Sequence, residues 1–145
     1  MEVPSQTADQ VFEKEFARGA ILITEMQFPS GTRKLKYLVV LNHHPADSTI
    51  LLFLTTSRTD YYDRFPHVDH LRIKPNTLTF FPKETILDCR EVFSMERKDL
   101  KRRYQEAALK FVGVLPQDYM DQMDRLIASS RFISKRHKKL ILGWP

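Results

Sequence analysis

Cysteine is almost missing from this chain of 145 residues: Cys89 stands alone. One thiol excludes an intrachain disulfide framework, argues against a cysteine-based zinc site and fits a reducing compartment. The opening residues, MEVPSQTADQVFEKEF, have neither the basic start nor the apolar stretch of a secretion signal. No apolar run approaches membrane-spanning length, so a cytoplasmic location without a membrane partner is expected. No internal repeat or low-complexity tract is present. No histidine pair at helical metal spacing and no matched carboxylate set occurs, so no metal and no cofactor is expected.

What is present suits one small domain. The length supplies one hydrophobic core, and 42% hydrophobic residues, with ten Phe, exclude global disorder. A net charge of +5 leans toward polyanionic partners, nucleic acid or an acidic protein segment.

Periodicity then divides the chain. Residues 1–17 read as an N-terminal appendage with a short amphipathic helix at 8–16, where Val11, Phe12 and Phe16 form the apolar stripe. Gly19 to Phe28, Lys36 to Asn42 and Ser48 to Thr56 are runs of β-branched, aliphatic and aromatic residues bounded by turn chemistry at Pro29-Ser30-Gly31 and His43 to Asp47. They predict a strand meander. Ser57 to Val68 reads as a functional loop. Further strands are expected at Asp69 to Ile73, Thr77 to Phe81 and Thr85 to Phe93, the last with mixed faces: Asp88 and Arg90 share one, Cys89 and Glu91 the other. A basic helical turn at 97–103 and extended structure at 108–115 follow. Pro116 suits the first turn of a helix, and Tyr119, Met120, Met123, Leu126 and Ile127 recur at helical spacing. That stripe must dock, either on the open end of a barrel or on a second copy. Residues 132–145 read as a basic and apolar tail free to move. The fold class expected is therefore mainly β (α+β), with short helices at both ends of the sheet region.

Several fragments, in their order and spacing, resemble the MazF/PemK toxin family over residues 18–131. They are Arg18-Gly19-Ala20-Ile21, Gly31-Thr32-Arg33 with the LVVLN of 38–42, Thr55-Thr56-Ser57-Arg58, Phe65-Pro66-His67-Val68, the 93–100 turn and Gly113-Val114-Leu115. The resemblance implies a small SH3-like antiparallel barrel, a homodimer, and a metal-independent endoribonuclease toxin that cleaves single-stranded RNA and is silenced by a cognate acidic antitoxin. Two departures are plain. Where the family sets a catalytic Arg before Pro, this chain has Lys36-Tyr37, with the arginine at Arg33. One branch of the family carries R-C-D, whereas the order here is Asp88-Cys89-Arg90, which moves each role by roughly 7 Å along the strand. They motivate an alternative, a non-catalytic nucleic-acid-binding module or a gyrase-poison-like inhibitor of a partner.

Metal-free RNA cleavage needs a group to take a proton, one to return it, and positive charge at the phosphoryl oxygens. Arg33 or Lys36 is the candidate for the charge, Thr56 for holding the phosphate in line, and Asp88 and Arg90 for base and acid. Tyr61, Tyr62 and Phe65 interleave with Arg58 and Arg64, beside Ser57 and His67, as the candidate RNA-binding segment, because bases stack on aromatic rings while guanidinium meets phosphate. Plainer readings stay open: a solvated hairpin charge for Arg33 and Lys36, a strand-end hydrogen bond for Thr56 and Ser57, an ion pair for Asp88 and Arg90, and a hydrophobic plug for the aromatics.

Overall fold

Strand signals between residues 19 and 56 dominate the architecture. The computed structural model describes residues 5–44 and 46–145; residues 1–4 of the expected appendage and Pro45 of the expected turn lie outside them. The chain runs α1 (Ser5–Glu15), β1 (Ala20–Gln27), β2 (Arg33–Val40), β3 (Thr49–Thr56), α2 (Asp60–Arg64), β4 (His70–Ile73), β5 (Thr85–Asp88), β6 (Phe93–Glu96), α3 (Arg97–Gln105), β7 (Leu109–Val114), α4 (Gln117–Ser129) and α5 (Lys135–Leu142). All pairings are antiparallel, in the order β4-β5-β3-β2-β1-β7, with β6 also on β3. The sheet curls into a half-barrel, a mainly β fold with helices that is consistent with a small SH3-like barrel.

The central strands read as nearly continuous apolar runs because both their faces are covered. Ile21, Val39, Leu51 and Phe53 point into one cluster with Met123 and Ile127 of α4 and Ile141 of α5. Leu22, Leu38, Val40, Ile50 and Leu52 point into a second cluster with Phe12 and Phe16 and with Leu100 of α3. The N-terminal helix is thus packed: Phe12 and Phe16 are buried and their rings stack 4.9 Å apart, while Val11 stays exposed. Helix α4 uses its apolar stripe on the chain's own sheet. Arg18 fixes it there by pairing with Asp124 and by donating from Nε to the Leu41 carbonyl at 3.1 Å.

Four elements differ from expectation. The loop at 57–68 contains helix α2, whose Tyr62 is buried. Thr77 to Phe81 is not a strand: its amides close local turns, Thr77 onto the Lys74 carbonyl and Phe81 onto that of Leu78, leaving no ladder for a neighbour. The single strand expected at Thr85 to Phe93 is two. Thr55 and Thr56 pair with β5 whereas Thr49 to Leu52 pair with β6, and between them the Arg90 amide turns onto the Asp88 carboxylate at 3.0 Å. The tail forms α5, capped by the Ser134 hydroxyl on the His137 amide and ended by Gly143 at φ 70°. Among the described residues no helix is long and apolar enough to cross a membrane.

Candidate functional site

The fork in β3 opens a hollow. On β2 and β3, Lys36 follows the pleat face of Leu38 and Val40, and Thr56 that of Leu54 and Leu52. The helices cover the middle of this face, and where their cover stops a cavity of about 390 Å³ lies over Leu54. Lys36 and Thr56 reach it from the sheet, Tyr61 and Tyr62 from α2, Arg58 from the segment before α2, Asp88 from the last position of β5 and Arg90 from the bend after it.

Asp88 is held from several sides. The Tyr62 phenol donates to its Oδ2 at 2.6 Å, and Arg90 donates from Nη2 to Oδ2 at 2.8 Å and from Nε to Oδ1 at 3.1 Å, beside its own amide. Burial pushes the carboxyl up, yet hydrogen bonds from Arg90 and Tyr62 outweigh it and hold Asp88 below its ordinary value. The same pair raises Arg90, whose Nη1 also donates to the Tyr61 hydroxyl at 3.1 Å. Burial, reinforced by the neighbouring carboxylate, drives the Tyr62 phenol upward, so it stays protonated.

Lys36, Thr56 and Arg58 form a ridge. Behind it lies a second hollow of about 330 Å³, walled by Tyr37, Phe80, Phe81 and Lys83, and the three ridge residues line both. Among the described residues neither Lys36 nor Arg58 has a carboxylate within ion-pair distance. Burial, then Lys34 and Arg58, lowers the Lys36 pKa, the mark of cations crowded without a counter-charge. The Thr56 hydroxyl accepts from the Arg58 amide at 3.2 Å, which sets the turn and leaves its own proton to donate.

The expected site residues divide clearly. Lys36, Thr56, Asp88, Arg90, Arg58, Tyr61 and Tyr62 come together around the first hollow, and Ser57 lines the second. Arg33 does not join them: it is exposed near the start of β2, lines neither hollow, and lies 3.9 Å from Glu25. Arg64 and His67 stand outside both linings, while the exposed Phe65 ring packs on Tyr61 at 5.0 Å and extends the aromatic rim. Lys83, Phe80 and Phe93 line the hollows without a sequence signal. Each comes from a segment whose position depends on the fork or on the turns at 74–81. Neither hollow is lined by histidine. In comparisons with known proteins, no family model and no curated sequence matches the chain.

Proposed function

We propose that this site binds single-stranded RNA and cleaves it without a metal, as the toxin of a toxin–antitoxin pair. The supporting observation is the ridge: two cations without carboxylate partners among the described residues and a hydroxyl with a proton to donate, beside the half-exposed rings of Tyr61 and Phe65. A phosphodiester supplies the missing negative charge, and a base stacks on the rim. In the reaction the 2′-oxygen bonds to phosphorus and the bond to the 5′-oxygen breaks, giving a 2′,3′-cyclic phosphate and a 5′-hydroxyl. Lys36, as an ammonium, is suited to give a proton to the departing 5′-oxygen, while the proton of the 2′-hydroxyl passes to water. Arg58 offers a planar fork to the phosphoryl oxygens, and Thr56 orients them. Asp88, its oxygens engaged by Arg90 and Tyr62, is a positioning residue in this scheme and leaves the proton to others. The antitoxin would lay an acidic, unstructured segment over the same cations, with the toxin acting as a homodimer.

A second reading, RNA binding without cleavage, is favoured by the engaged Asp88 and by the absence of histidine from the linings. Incubation of the purified protein with labelled single-stranded RNA in chelator separates the two. Cyclic-phosphate products that vanish in Lys36→Ala and Thr56→Ala but persist in Arg33→Ala support cleavage at the ridge. Retained binding with intact RNA selects the second reading, and no binding ends both.

A further inference from the structure

The second hollow differs from the first in charge. Lys36, Arg58 and Lys83 line it and, among the described residues, no carboxylate does, whereas Asp88 and Glu91 share the first. Lys83 has no acidic partner among the described residues, since the adjacent Glu84 turns away to pair with Arg72 at 2.7 Å. The apolar wall is built rather than incidental. Phe80 stacks on Tyr37 with centroids 5.5 Å apart and planes 22° apart, and Phe81 meets Tyr37 edge-on at 5.1 Å. Phe80 can lie there because β7 offers Gly113: a Cβ on that residue would stand 2.9 Å from the ring.

Aromatic faces beside a carboxylate-free set of cations form a nucleotide subsite in miniature. We propose that the second hollow holds the next nucleotide of the bound strand, its base against Phe80 and its phosphate at Lys83. The scissile phosphate then lies on the Lys36–Thr56–Arg58 ridge and the other base on the Tyr61 side. This assignment rests on the RNA reading above, and makes the recognised unit a step of at least two nucleotides rather than one phosphate.

The test is fluorescence anisotropy of the full chain with a labelled ten-nucleotide single-stranded RNA carrying non-cleavable 2′-O-methyl groups, titrated at several salt concentrations. Each phosphate neutralised on a single strand contributes about 0.7 to the slope of log K against log salt. Lys83→Gln is expected to lower that slope by about 0.7, and Phe80→Leu, which keeps the apolar wall, to weaken binding about fivefold or more. Lys83 is exposed, so a thermal melt matching wild type certifies its fold. If Lys36→Gln lowers the slope while Lys83→Gln and Phe80→Leu change nothing, the second hollow is not a subsite and the RNA reading survives. If wild type does not bind the RNA, both fall.

Discussion

Tyr62 of α2 and Asp88 of β5 are joined by a 2.6 Å hydrogen bond across 26 residues of chain. The contact ties the helix carrying the aromatic rim to the sheet, and holds Arg90 indirectly through the shared carboxylate. Tyr62→Phe removes only the hydroxyl. It is expected to cost about 1–2 kcal/mol in urea unfolding, as for a hydrogen bond to a partly buried charge. The variant also loses a contact that lowers the Asp88 pKa. A lowered carboxylate contributes stability that is present above its unfolded value, near 3.8, and is lost as pH falls through the folded one. With that value moved back up, acid unfolding followed by circular dichroism should begin at higher pH in Tyr62→Phe.

Lys36 presents the opposite balance. Its pKa is lowered from 10.5, so in the apo protein the charged form is disfavoured by burial and by Lys34 and Arg58. Below the lowered value the folded chain bears this penalty in full, and it is relieved as pH rises toward 10.5, where the unfolded chain also loses its proton. Lys36→Met is therefore expected to raise the melting temperature at pH 7, by a margin that shrinks in melts above pH 10. The same variant should lose RNA binding, a trade of stability against function. A destabilised Lys36→Met would show that the residue has a structural partner instead.

Gly113 faces Phe80 with no room for a methyl group. Gly113→Ala should destabilise the fold by about 1–3 kcal/mol through overpacking. The displaced ring should also appear as altered aromatic chemical shifts for Phe80 and its neighbours Tyr37 and Phe81. A variant as stable as wild type, with those shifts unmoved, would contradict the packing that shapes the second hollow.

How much of this was legible depended on how locally each feature is determined. The strands around 20–23, 37–40 and 50–54 declare themselves because these stretches are apolar on both faces, and α4 because its stripe repeats at helical spacing. Arg18-Gly19 was noticed as a motif. Its physical role is structural: Arg18 pins α4, and Gly19, at φ 85°, lets Met120 approach. The composition of 85–93 reads as one strand with mixed faces, and its break depends on β3 changing partners, which no local pattern records. Thr77 to Phe81 has strand-like composition, yet its aromatics serve the hollow's wall while its backbone closes turns. The residues of β3, α2 and 88–90 that meet at the first hollow carry marks of motif and composition, and Arg33, marked by the Gly31-Thr32-Arg33 fragment, lies outside it. Lys83 and Phe80 carried no mark, since their meeting with the ridge is a product of the whole curled sheet.

The C-terminal segment gives the sharpest contrast between composition and structure. KRHKK followed by LILGWP reads as a tail, but its amphipathic turn buries Ile141 completely, and the Leu140 carbonyl accepts the His43 amide at 2.9 Å. Ile141 sits in the same cluster as Leu41, Leu51 and Met123, so removing its side chain leaves a cavity against the sheet. Ile141→Ala should cost about 2–4 kcal/mol in denaturant unfolding, with the slope of the transition unchanged. Lys139→Ala, at an exposed position of the same helix, should stay within about 0.5 kcal/mol of wild type. If both substitutions prove neutral, α5 does not dock and the basic segment is a tail after all. If only Ile141→Ala is costly, the last helix belongs to the fold and its basic face is presented to solvent in a fixed orientation.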